Sequence, residues 1–212
     1  MFLLANKKTM DLIKSFEGLH RLRSDGMVHV YPDAGYGWKW TTQGYGTTVN
    51  PDTRQKLKKG DPPITKDQAL RWLRMDIERK YEPPVRQMVK VPLSEDSMGA
   101  LVSFAYNCGT GALRRSTLLK RVNAKRWDDV PNQFLRWNKS NGKVFRGLTR
   151  RRKAEAKQFM EGLKKKPQSG REEPQIPTEA GTPVAVPLPP KNPNRRHRTS
   201  SWLLQAFLSW FK

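Results

Sequence analysis

The sequence predicts an α+β fold in which a small β-containing N-terminal lobe precedes a larger α-helical lobe and an extended tail. Three observations carry this reading. Short runs rich in β-branched and aromatic residues, Val28–Val30 and Trp38–Tyr45, lie in the first quarter of the 212 residues and are punctuated by glycine. Between Thr65 and Leu163 apolar residues recur every three or four positions, the period of a half-buried helix. From Lys164 onward a basic run gives way to eight prolines between Pro167 and Pro193, with few large apolar side chains before Trp202. Such a stretch buries too little surface to offset its ordering entropy and is expected to be an extended linker.

Each element follows from its residues. Met10, Leu12, Ile13 and Phe16 place a first helix over Thr9–Phe16, with Glu17 at its C-terminal end. Val28–Val30 and Trp38–Tyr45 are read as short strands. Thr65 is an N-cap, opening a helix with Ala69, Leu70, Trp72, Leu73, Met75 and Ile77. Pro92 stands just before Ser94, which opens a helix whose apolar face is Met98, Leu101, Val102 and Phe104. Further helices are expected over Ser116–Asn123, Asp128–Trp137 and Thr149–Leu163, and a cleft between the two lobes. Residues 1–163 form the expected catalytic domain, 164–198 a Pro-rich basic linker and 199–212 a C-terminal amphipathic segment.

Glu17, Asp33 and Thr42 put two carboxyl groups and a hydroxyl within 26 residues. A glycosidic oxygen leaves only if an acid protonates it, and the cationic transition state needs a carboxylate or an activated water on its other side. Two carboxyls in unequal environments supply both roles. Glu17 is the expected acid, in an apolar or charge-crowded cleft, and Asp33 the expected base, solvated and ionised. Thr42 is placed to hydrogen-bond the attacking water.

Glu17-Gly18-Leu19, Tyr31-Pro32-Asp33 and Thr42-Gln43-Gly44-Tyr45-Gly46 resemble, in order, the signature of the phage T4-type lysozyme (endolysin) family, glycoside hydrolase family 24. The resemblance runs from about Met10 to about Leu163. Phe104–Gly109 with Ser116–Leu119 resembles that family's central helix and following turn. Arg136-Trp137, Gly142 and Gly147–Glu155 resemble its Trp-containing segment and the start of its Gly-Leu-x-x-Arg-Arg-x-x-Glu helix. The resemblance implies a lysozyme-like fold and a muramidase that hydrolyses the β-1,4 bond between N-acetylmuramic acid and N-acetylglucosamine. It also implies inversion at the anomeric carbon, with Glu17, Asp33 and Thr42 as catalytic residues.

The chain departs from the pattern in three places. Fifteen residues separate Glu17 from Asp33, more than in the shortest members, through a polar insertion around Ser24-Asp25-Gly26. Asp25 is therefore a second candidate for the base, although Ser-Asp-Gly reads as a hairpin turn. Gln43 and Thr47 stand where the family more often has an apolar residue and a histidine. Thr41 would replace Thr42 if the strand register slipped by one, because neighbouring side chains point to opposite faces.

The formal net charge is +22, and residues 165–212, with eight basic and three acidic groups, leave +17 on the body. So basic a surface is drawn to polyanions. Peptidoglycan carboxylates and envelope phosphates are the favoured partners, and no nucleic-acid partner is expected, because no helix-turn-helix, zinc or RNA-binding signature accompanies the charge. Cys108 is alone and reads as a small buried side chain, and with His20, His29 and His197 it builds no metal cluster. No cofactor or metal is expected, and the chain is expected to act as a monomer. Met1–Ala5 is too short for a signal or a membrane span, so the reading is synthesis in the host cytoplasm and holin-type release to the periplasm. Trp202, Leu203, Leu204, Phe207, Leu208, Trp210 and Phe211 follow Arg195-Arg196-His197-Arg198, the pattern of an interfacial helix that docks on anionic lipid or lipopolysaccharide. The rival readings are a lytic transglycosylase and a cationic membrane-permeabilising protein on an inactive lysozyme-like body.

Overall fold

A computed structural model describes residues 6–33, 36–140 and 142–165. The linker beyond Lys165 and the C-terminal amphipathic segment lie outside the described residues.

Helix α1 (Lys7–Glu17) starts two residues before the apolar pattern does. The Asn6 side chain accepts from the Thr9 amide at 2.8 Å, satisfying one of the free N–H groups of the first turn. Met10, Ile13 and Phe16 are buried, and the helix ends at Gly18, whose φ of 66° is a conformation that a side chain would strain.

The strands sit a few residues away from the expected positions. β1 (Tyr31–Asp33) and β2 (Gly37–Thr42) form an antiparallel pair with Tyr31 opposite Thr42 and Pro32 opposite Thr41. The register then shifts, so that Asp33 faces Gly37. Pro32 is tolerated because a two-stranded ribbon is all edge. Val28, expected to lie in a strand, instead exchanges both backbone hydrogen bonds with Ile64, at 2.8 and 3.0 Å, as an isolated bridge. The second strand ends at Thr42 rather than Tyr45, because the chain turns through Gly44 and Gln43 bonds back to Thr47 at 2.9 and 3.1 Å.

Helix α2 (Lys66–Asp76) is capped by Thr65, whose hydroxyl accepts from the Gln68 amide at 3.0 Å. It runs on through a π-helical turn, Ile77–Tyr81, into α3 (Glu82–Met88), which the sequence reading did not foresee. Pro83 and Pro84 lack the N–H groups that would reach back to Arg79 and Lys80, and a wider turn accommodates them without breaking the rod.

Helix α4 (Glu95–Cys108) is buried along almost its whole length and is the axis of the helical lobe. α5 (Thr110–Arg115) and α8 (Arg146–Leu163) pack against it, α7 (Val130–Leu135) packs on α8 and brings Phe134 to Phe104, and α6 (Thr117–Asn123) joins α5 to α7. The segment expected as one helix over Asp128–Trp137 is a 3-10 turn at Trp127–Asp129 followed by the shorter α7, which has Pro131 in its first turn. A small hairpin, β3 (Lys139–Ser140) with β4 (Lys143–Val144), was not anticipated, and α8 begins three residues before Thr149.

Two apolar clusters result among the described residues. The larger packs α1, α4, α7 and α8 around Phe104, Phe134 and Phe159. The smaller collects Val28, Leu57, Ile64, Ala69 and Trp72, and Tyr45 packs against both. Among the described residues no helix is long and apolar enough to cross a membrane.

Candidate active site

Glu17 caps the end of α1 where that helix leaves the helical lobe, and its side chain is almost fully withdrawn from solvent. Arg151, on the first turns of α8, donates to its Oε1 at 2.6 Å. The same guanidinium donates to Glu155 Oε1 at 3.1 Å and to the Ser103 carbonyl at 3.3 Å, and it stands over the Phe16 ring. Arg152 donates to Glu155 Oε1 at 3.1 Å, to Asn107 Oδ1 at 2.9 Å and to Cys108 Sγ at 3.1 Å. Ser103 donates its hydroxyl to Glu155 Oε1 at 2.8 Å. Two buried arginines thus meet two carboxylates, a balance that buried ions require if they are not to be expelled or neutralised.

Asp33 and Thr42 belong to the opposite lobe. Asp33 is 4 % exposed and accepts the Tyr36 amide at 2.9 Å, so it is buried rather than solvated as the sequence reading expected. Its burial follows from the register shift after Pro32, which turns the end of β1 inward. Thr42 is buried opposite Tyr31, and its hydroxyl lies 3.4 Å from the Trp40 carbonyl. Thr41 is also buried and donates to the Trp38 carbonyl at 3.3 Å.

Asp25 is engaged elsewhere. Its carboxylate closes an exposed turn, accepting the Met27 amide at 2.8 Å and pairing with His29 Nε2 at 2.9 Å. The His29 contact, followed by the Met27 amide, holds its pKa below the usual carboxylate value.

Three tyrosines, Tyr31, Tyr81 and Tyr106, feel the charge of Glu17. The Tyr31 hydroxyl has its pKa raised, first by burial and then by the negative charges of Glu17 and Asp33, so it senses both carboxylates at once. Burial, then Asp76 and Glu17, raises Tyr81; burial and then Glu17 raises Tyr106. Tyr106 donates to the Tyr45 carbonyl at 2.8 Å, tying α4 to the loop after β2. Behind that loop Thr47 donates to Asp76 Oδ2 at 3.3 Å, and Lys80 pairs with the other Asp76 oxygen. Neither Arg151 nor these tyrosines had been assigned a role. Arg151 and Arg152 could have been found from their four- and three-residue spacing to Glu155, which puts all three on one helical face.

Among the described residues no cluster of His, Cys, Asp or Glu could hold a metal ion. A recess of about 330 Å³ opens on the small lobe between Gln43, Asn50, Lys56, Asp61 and Trp72, and none of Glu17, Asp33 and Thr42 lines it.

A mainly helical lobe, a small hairpin lobe and an acid at their junction define a lysozyme-like fold, and the phage lysozyme family model matches residues 14–155. The chain belongs to the phage lysozyme family. It is 38 % identical over 157 residues to an endolysin of Bacillus phage B103, covering 74 % of this chain and 54 % of that protein. It therefore spans about half the length of that relative. An endolysin of Acyrthosiphon pisum secondary endosymbiont phage 1 is 35 % identical over 158 residues, covering 73 % of this chain and 96 % of its own length. Among solved structures, the endolysin from Escherichia coli O157:H7 phage FAHEc1 aligns at 34 % identity with a TM-score of 0.62, covering 76 % of this chain and 94 % of that one.

Proposed function

We propose that this protein is an endolysin with muramidase activity, hydrolysing the β-1,4 bond between N-acetylmuramic acid and N-acetylglucosamine in bacterial peptidoglycan. The observation that carries the reading is Glu17, an almost fully buried carboxyl at the C-terminal end of α1 held by Arg151, in a chain whose residues 14–155 match the phage lysozyme family. Glu17 donates its proton to the leaving glycosidic oxygen. Arg151 holds one Glu17 oxygen, so the transferable proton belongs to the other. Asp33 removes a proton from a water that attacks the anomeric carbon from the opposite face, and Thr42 orients that water. Water adds, the C–O bond breaks, and the configuration inverts.

Nothing in that sequence of steps requires a cofactor or a metal. The substrate is the glycan strand, met by the chain as a monomer on the cell wall. Holin-type release from the host cytoplasm is the route that fits an endolysin of this kind. The segment at residues 195–212 adds a contact with anionic lipid or lipopolysaccharide. Its deletion is expected to lower leakage from phosphatidylglycerol vesicles while leaving digestion of purified sacculi intact; unchanged leakage refutes that part.

Replacing Glu17 by Gln tests the catalytic reading. General acid catalysis contributes about 10² to 10⁴ in rate, so Glu17→Gln should lose at least that much sacculus digestion while still unfolding cooperatively, at a melting temperature lowered by loss of the buried Arg151 pair. A Glu17→Gln protein that clears sacculi at the wild-type rate overturns the assignment. Mass spectrometry of the products separates hydrolysis, which leaves a reducing end, from transglycosylation, which leaves an anhydro sugar.

A further inference from the structure

Three aromatic rings in five residues stand in solvent on the small lobe. Tyr36, Trp38 and Trp40 are 41 %, 43 % and 39 % exposed. Large rings are usually withdrawn from water, and a contiguous exposed group of them marks a binding surface more often than chance. Two cations accompany them. Lys59 Nζ lies 5.3 Å from the Trp38 ring centre, and Lys56 Nζ lies 5.4 Å from that of Trp40. Tyr36 meets Trp40 edge to face at 6.5 Å. Each ring thus has a neighbour, yet each keeps about two-fifths of its surface open.

The placement relates this ledge to the cleft. Trp38 and Trp40 precede Thr42 on the same strand, β2. At about 3.3 Å per residue they stand roughly 13 and 7 Å upstream of it along the backbone, respectively. A glycan held at Thr42 reaches that far within a few sugar units. Lys56 also borders the 330 Å³ recess on the small lobe, so cationic and aromatic groups continue past the ledge.

We propose that Tyr36, Trp38 and Trp40, with Lys56 and Lys59, form a second glycan-binding platform outside the cleavage site, which grips the uncut peptidoglycan strand. The inference rests on the muramidase reading. Flat ring faces stack on the apolar faces of N-acetylhexosamine units, as they do on other ring systems. The two ammonium groups pair with lactyl and peptide carboxylates of the same polymer. An uncharged saccharide would explain the rings alone, and a soluble anion the lysines alone; a carboxylate-bearing glycan explains their interleaving.

The test uses the full chain in the Glu17→Gln background, so that sacculi stay intact, with co-sedimentation against purified sacculi and flotation with phosphatidylglycerol vesicles. W38A/W40A should weaken sacculus affinity about tenfold, in the range of a buried aromatic anchor. W38Y/W40Y, which keeps a stacking face, should restore most of it. K56E/K59E leaves the hairpin sequence untouched and should also lose sacculus binding, with the deficit shrinking as salt rises. Unaltered sacculus binding by W38A/W40A or, should that variant fail to fold, by K56E/K59E overturns the proposal. Loss confined to vesicles also overturns it, in favour of a lipid surface. Reducing-end release by wild type and Glu17→Gln is measured alongside; equal release defeats the catalytic reading and leaves the binding result standing.

Discussion

Arg151 sits between Glu17 and Glu155 with essentially no exposed surface, so its charge is the one that both carboxylates need. Arg151→Met would leave two acids facing a single arginine, and removing one partner from a buried ionic group typically destabilises by about 3–5 kcal/mol. Urea unfolding should show a loss of that order, with Arg151→Lys recovering part of it through a point charge that cannot form both bonds. A melting curve unchanged by Arg151→Met would refute this balance of charges. Asp52 offers a pH-dependent case. Its pKa is lowered first by the Arg71 hydrogen bond and then by that of Trp72, whose Nε1 donates at 2.8 Å. A depressed carboxylate stabilises the fold above its unfolded pKa of about 3.9 and loses that contribution as pH falls through the folded value. The Arg71 pair is partly solvated, so Asp52→Asn should cost about 1 kcal/mol at pH 7 after screening. The gap between the two proteins should narrow as the pH is taken below about 3.9. At this scale the proposed trio of Glu17, Asp33 and Thr42 was singled out from short local motifs, and the structure adds that all three side chains are withdrawn from solvent. Arg151 was visible as a residue but not as a partner, because its meaning lies in a contact 134 positions away.

Caps and apolar periods made the helices readable: Thr65, Ser94 and Ser116 each accept an amide of the following turn. Asn6 was missed because it precedes the apolar run by which the first helix is recognised. The strands were displaced because Val28 satisfies its backbone against Ile64, a partner far along the chain that no local pattern announces. Where α1, α4 and α8 converge, helix spacing depends on a missing side chain. A Cβ on Gly99 would fall 1.7 Å from the Thr9 hydroxyl and 3.1 Å from Gln158 Nε2. Gln158 donates to that same hydroxyl and to the Asp96 carbonyl, so the obstacle is itself held in place. Gly99→Ala should therefore lose about 1–3 kcal/mol, as overpacked cores do, despite Ala being the better helix former. Combining it with Thr9→Ala removes the hydroxyl and should recover part of the loss. The non-additivity of the pair in chemical denaturation is the measurement; simple additivity would mean that the helices part freely there.

Across the whole molecule the decisive quantity is charge. The two lobes carry most of the formal +22, since residues 165–212 hold only eight basic against three acidic groups. This surplus of cations over carboxylates gives the two lobes a net long-range positive field. Such a field raises encounter with a polyanion and contributes little to bond cleavage once substrate is seated. The screening length is about 10 Å at 0.1 M salt and about 3 Å at 1 M, which removes long-range steering while leaving the buried Arg151–Glu17 contact largely unscreened. Digestion of whole sacculi at low substrate should therefore slow steeply as sodium chloride rises through that range. Turnover of a short uncharged N-acetylglucosamine oligomer, which has no carboxylate for the field to attract, should change little. The two slopes, measured with the same preparation, separate steering from catalysis. If both substrates slow in parallel, salt is acting on the fold or the cleft, and the surplus of lysine and arginine has no part in finding the wall.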